Sequence, residues 1–143
     1  MADRNATTSW NGDLGSGSGL VTLDSSNAGQ FPVSFATRAE DPAGQTSPEE
    51  LIAAAHSSCF SMQLSGLLGE AGLTPERIDT SAEVTLGKSG GGFAITGIAL
   101  TVQATVPGAD DATFQQAAQK AKEICPVSAA LTGTTITLEA TLS

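Results

Sequence analysis

The sequence predicts an α+β domain in which antiparallel strands surround one long apolar helix and a second, amphipathic helix. Three patterns carry this. Short runs of alternating apolar residues occupy the N-terminal part, the middle and the end of the chain; an uncharged segment runs from Leu51 to Leu68; and apolar residues recur at helical spacing after Asp111. At 143 residues the chain is sized for a single domain spanning 1–143.

The N-terminal strands are expected within about residues 5–36. Trp10 ends a candidate strand and Asn11-Gly12-Asp13 is a turn signal. Leu20–Leu23 and Phe31–Phe35 then read as paired strands, with Phe31, Val33 and Phe35 alternating. Residues 37–45 read as a polar loop. The central helix is expected over about residues 48–70, with Ser47 as N-cap, Pro48 in its first turn, Glu50 closing a capping box and Gly72 as the stop. Its apolar and small residues lie on every side, a pattern that predicts burial most of the way round by a sheet, a helix or another subunit.

Further strands are expected over about residues 79–106, where Ala82, Val84 and Leu86 alternate, as do Ile98, Leu100, Val102, Ala104 and Val106. A second helix, about 111–124, starts at acidic caps and presents Phe114, Ala117, Ala118 and Ala121 on one face. Pro126 disfavours helical geometry at Cys125 and ends it, with a short helical turn following. Ile136, Leu138, Ala140 and Leu142 mark a final strand, about 134–142.

A net charge of −9 and a pI near 4.2 argue against a nucleic-acid partner, since the six Lys and Arg residues are scattered and form no basic stripe. The acidic surface also disfavours an anionic membrane, and His56, Gln63 and several serines interrupt the one apolar stretch. The first residues lack the basic start and apolar run of a signal peptide, so a cytoplasmic location is expected, where thiols are kept reduced.

The residues able to carry chemistry are few. Cys59 lies inside the apolar helix beside Ser57, Ser58 and Ser61, and Cys125 lies at a helix boundary before Pro126. A buried cysteine is commonly a small hydrophobe. The polar flank of Cys59 and the helix start beside Cys125 favour reactive thiols instead. His56, three residues before Cys59, is a candidate base in a Cys-His hydrolase or thioesterase, or a satisfied core histidine. One His and two Cys without CxxC or HxxxH spacing argue against a metal site, and no cofactor motif is present. Arg38 is the only cation between Arg4 and Arg77, placed to lower a thiol pKa or orient an oxygen substrate. Glu49, freed from the capping duty of Glu50, is a candidate bidentate partner for it. Glu49 and Cys59 stand ten residues apart, about 15 Å along an unbroken helix. Action of this pair on Cys59 therefore requires a broken helix or a second subunit.

The strings TRAEDPAGQTSPEELIAAAHSSCFSMQLSGLLGEAG, GFAITGIAL and KAKEICPVS together resemble the OsmC/Ohr family of bacterial hydroperoxide-reducing proteins, from about Trp10 to the C-terminus. The T-R-x-E element Thr37–Glu40 resembles the OsmC branch, with Ala39 where an aromatic residue is common. The resemblance implies an intertwined homodimer with a six-stranded arrangement around central helices and active sites at the interface. It implies Cys59 as peroxidatic cysteine, Cys125 as resolving cysteine, and Arg38 and Glu49 as their active-site partners. It further implies a cysteine-based peroxidase that protects against oxidative stress by reducing organic hydroperoxides, and hydrogen peroxide less readily, to alcohols. The route runs through a Cys59 sulfenic acid and a Cys59–Cys125 disulfide. An external dithiol, lipoyl-type or thioredoxin-like, completes the cycle, and no metal or cofactor is involved. A non-catalytic binding protein on the same fold is the remaining alternative.

Overall fold

The computed structural model describes residues 1–143, which fall into two compact units, Met1–Leu51 and Ile52–Ser143. The first unit holds β1 (Thr7–Asn11), β2 (Ser18–Thr22) and β3 (Gln30–Val33) as an antiparallel meander in the order β1-β2-β3. Trp10 pairs with Gly19 across β1 and β2. A Cβ at Gly19 would lie 2.9 Å from the indole, so the missing side chain is what lets the ring cross the neighbouring strand. Residues 37–45, expected to be a loop, are partly helical: α1 spans Phe35–Ala39. Ser34 supplies the reason, because its Oγ accepts from the Thr37 N–H at 3.2 Å and starts the turn one residue after β3 ends.

The helix α2 (Pro48–Glu70) begins in this unit and continues as the central helix of the second. Ser47 Oγ accepts from the Glu50 N–H at 3.1 Å, which is half of a capping box. The other half is not made as expected, since the Glu50 carboxylate accepts from the Thr46 hydroxyl at 2.6 Å. At the far end Gly72 takes φ +76°, with Gly72 N–H bonded to the Gly69 carbonyl and Leu73 N–H to that of Leu68, both at 2.9 Å. This paired geometry satisfies the last carbonyls and needs a residue without a Cβ at the turn.

In the second unit β4 (Arg77–Ser89) and β5 (Gly92–Thr105) form a long antiparallel hairpin, and β6 (Ile136–Leu142) lies beside β5. The β5–β6 pairing is parallel, which corrects the expectation of an all-antiparallel arrangement. The cause is the connection. After β5 the chain passes through α3 (Asp111–Ile124) and α4 (Pro126–Ala130) and re-enters at the same end of the sheet, as a helical crossover permits and a tight hairpin does not. The α3 N-cap is Asp110, whose Oδ1 accepts from Thr113 N–H at 2.7 Å.

The core of this unit forms where Leu100, Val102 and Ala104 of β5 meet Phe114, Ala118 and Ala121 of α3 and Phe60, Leu64 and Leu68 of α2. The α2 stripe is spaced by four residues and includes His56. It covers only one side of the helix, however, with 22% of its most apolar window buried and Met62 73% exposed. The expected burial most of the way round is therefore not supplied by a single chain: β5 and α3 occupy one side of α2, and Ala54, Ala55, Ser58, Met62, Ser65 and Gly66 remain uncovered. Leu64→Ala, which removes a fully buried side chain from the covered stripe, is expected to destabilise the fold by about 2–5 kcal/mol. The measurement is a urea unfolding midpoint at constant slope.

Candidate active site

The second unit brings the two cysteines together. Cys59 sits midway along α2, and Cys125 is fully buried at the junction where α3 ends and α4 begins. Cys125 has φ −54° and ψ 125°, an extended conformation that Pro126 imposes on its predecessor. Its N–H still closes α3 by bonding the Ala121 carbonyl at 2.9 Å. This places the Cys125 sulfur 3.0 Å from that of Cys59, with both thiols free. A disulfide places its sulfurs about 2.05 Å apart, so bond formation between them needs a closure of about 1 Å.

Their surroundings differ. Burial pushes the Cys59 thiol up, and the neighbouring Cys125 adds to that, against a smaller opposing effect of the Val127 N–H. No cation is among the groups acting on it. Burial also works against a Cys125 thiolate, but hydrogen bonds from Cys59, from the backbone and hydroxyl of Ser128 and from the Val127 backbone outweigh it, and the Cys125 pKa falls. The pair thus shares a proton in a setting that helps one thiolate at a time.

His56 is not paired with Cys59. Its Nε2 lies 2.7 Å from Ser128 Oγ, and Nδ1 is buried without a hydrogen-bond partner. Burial lowers its pKa, so the ring is neutral near pH 7. A hydrolase requires the base to touch the nucleophile. The geometry does not support that role.

The first unit assembles the other two residues. α1 presents Arg38 from its last turn, and Glu49 stands in the first turn of α2. The loop between them is tied down by Thr37 Oγ1 donating to Gln45 Oε1 at 3.0 Å and Thr46 N–H to the Pro32 carbonyl at 3.0 Å. Arg38 grips both carboxylate oxygens, Nη2 to Oε1 at 2.7 Å and Nε to Oε2 at 3.1 Å. Burial would raise the Glu49 pKa, but the guanidinium overrides it and holds the carboxyl below its ordinary value. Arg38 in turn is held firmly charged. Beside the pair lies a cavity of about 390 Å³ with almost wholly apolar walls, among them Trp10, Leu14, Val21 and Phe35, and with Arg38 at its lining. No group of three or more His, Cys, Asp or Glu side chains is placed to hold a metal ion.

Residues 41–139 match the family model described as OsmC-like protein. The chain belongs to the OsmC family. Peroxiredoxin OsmC of Escherichia coli strain K12 is 54% identical over 122 residues, 85% of either chain. An organic hydroperoxide resistance protein of Xanthomonas axonopodis pv. citri strain 306 is 34% identical over 89 residues, 62% of this chain and 61% of its own. Among solved structures, an organic hydroperoxide resistance protein from Elizabethkingia anophelis with thiocyanate bound aligns over 100% of this chain and 96% of its own, with a TM-score of 0.72 and 26% identity. In this OsmC-family chain Ser128 is the site residue that sequence reasoning overlooked. The available signal was its place three residues after Cys125 in a helical turn, which returns its side chain to the same end of α4.

Proposed function

We propose that this chain is a cysteine-based peroxidase that reduces organic hydroperoxides through a Cys59 sulfenic acid and a Cys59–Cys125 disulfide. The observation that carries the reading is the 3.0 Å approach of two free thiols from elements far apart in sequence. The Cys59 thiolate attacks the distal peroxide oxygen, the O–O bond breaks, and the alkoxide leaves as the alcohol after taking up a proton. The Cys125 thiolate then attacks the sulfenic sulfur, forming the S–S bond and releasing hydroxide, which leaves as water. An external dithiol is oxidised as it restores both thiols. The cavity beside Arg38 supports an organic substrate, because its apolar walls offer an alkyl or aryl group a place out of water while the guanidinium faces the peroxide oxygens.

The active unit in this proposal is a homodimer in the cytoplasm. Cys59 is partly buried, its pKa is raised and no cation is among the groups acting on it, so a thiolate there calls for a positive charge from outside. The uncharged exposed face of α2, with Met62 at its centre, supports a second copy as the source of both cover and charge. The Arg38–Glu49 pair of one protomer would then serve Cys59 of its partner.

One equivalent of cumene hydroperoxide is expected to consume both free thiols and to lower the intact mass by two hydrogens. Cys125→Ser should instead retain the added oxygen on Cys59. Thiols that persist alongside undiminished peroxide would sink the reading.

A further inference from the structure

His56 is the one buried titratable group that the proposed chemistry leaves without a task. It is wholly buried on α2, yet a satisfied core histidine would have both ring nitrogens paired, and its Nδ1 has no partner. Its other nitrogen is committed at 2.7 Å to Ser128, itself 3% exposed. Ser128 stands in the first turn of α4, which Cys125 begins, and the Cys125 sulfur lies 3.0 Å from that of Cys59. Ser128 is also among the groups that act on the Cys125 sulfur, through its backbone and its hydroxyl. A buried polar line therefore runs from His56 through Ser128 and Cys125 to Cys59.

We infer that His56 is a positioning residue for the resolving step: its Nε2–H donates to Ser128 Oγ and turns the Ser128 hydroxyl proton toward the Cys125 sulfur, favouring the thiolate that attacks the Cys59 sulfenic acid. The inference rests on the peroxidase reading above. The orphaned Nδ1 fits the assignment. With the proton on Nε2, the unpaired nitrogen is a bare acceptor, and the ring gives its only donor to Ser128. The lowered pKa of His56 keeps the ring in this single-donor form near neutral pH, and the Ser128 hydroxyl is among the groups that lower the Cys125 pKa. In the step itself the Cys125 sulfur gives an electron pair to the Cys59 sulfur, the S–O bond breaks, and the departing hydroxide takes the proton that Cys125 has lost. His56 and Ser128 end unchanged. Their hydrogen bonds act on the charge of the attacking sulfur and make no contact with the sulfur that meets the peroxide.

The test separates the two steps. Full-length wild type, Ser128→Ala, His56→Leu and His56→Gln are mixed with one equivalent of cumene hydroperoxide. Peroxide loss is followed alongside the intact mass, with dimedone present to trap sulfenic acid. Ser128→Ala and His56→Leu should consume the first equivalent no more slowly than wild type but close the disulfide about tenfold or more slowly, accumulating the dimedone adduct of Cys59. His56→Gln, whose side-chain amide can place an N–H where Nε2 stands, should recover most of the closure rate. Circular dichroism establishes that each variant folds, and Ser128→Ala, the smallest change, keeps the test decisive if His56→Leu does not. Closure at the wild-type rate in folded Ser128→Ala overturns the inference. Equal slowing in His56→Gln and His56→Leu also overturns it, because a core-packing role would not distinguish a donor from a hydrocarbon. A wild type that consumes no peroxide and keeps both thiols removes the peroxidase reading itself.

Discussion

Cys59→Ser is expected to abolish hydroperoxide turnover, lowering it by roughly a thousandfold or more, while leaving the fold intact. The serine hydroxyl is nearly isosteric with the thiol, but its pKa lies far above that of any thiol and it is a poor nucleophile toward peroxide oxygen. The site offers it no base, since His56 bonds Ser128 rather than the residue at position 59. Packing changes little, because Cys59 is only partly buried and lies beside the core stripe of Phe60 and Leu64. An assay of peroxide loss with excess dithiol checks this, and thermal unfolding checks the fold. Retained turnover in Cys59→Ser would mean that Cys125 is the attacking thiol. That outcome has a physical basis to be tested against, since Cys125 has the lower pKa within a single chain.

The second large effect is expected from Arg38→Met, about a hundredfold in turnover. Two consequences follow from one substitution. The peroxide oxygens lose the charge proposed to stabilise them, and Glu49, 7% exposed, loses the guanidinium that keeps it ionised. Arg38 itself is a third exposed, so the stability cost should fall between that of a surface pair and a fully buried one, about 1–2 kcal/mol. The pH dependence has a definite sign. Glu49 has a folded-state pKa below its unfolded value, so the pair stabilises the fold above the ordinary carboxylate range. That contribution is lost as pH falls through the lowered pKa. Arg38→Met should therefore flatten the acid limb of the stability profile, and Glu49→Gln should flatten it likewise. Mixing Arg38→Met with Cys59→Ser chains tests where the pair acts. If Arg38 serves the partner's Cys59, each mixed dimer regains one complete site and activity reappears. If it serves its own chain, both sites remain broken and the mixture stays inactive.

Local signals exposed several features of this chain. The cap at Ser47 and the Schellman geometry at Gly72 depend on residues within a few positions of each other. So does the break at Cys125 before Pro126. The pairing of Arg38 with Glu49 was legible because the stretch offers one cation, and of the two carboxylates in the first turn of α2 only Glu49 lacks an expected capping duty. α1 was hidden, since a single Ser34 cap starting a five-residue helix is a weak signal among polar residues. The Ser128 partner of His56, 72 residues away, was hidden as well. So was the parallel placement of β6, which depends on where α3 and α4 return the chain.

The sequence by itself therefore determined which residues were capable of thiol chemistry: two cysteines with different local settings, in a chain with no other strong nucleophile. Only the tertiary structure decided that they meet at 3.0 Å, that His56 turns to Ser128, and that one side of α2 is left bare. The physical reason is range. Caps, breaks and periodicity act across a turn or two of chain, whereas the approach of Cys125 to Cys59 depends on how α3 and α4 pack against the helix that carries Cys59.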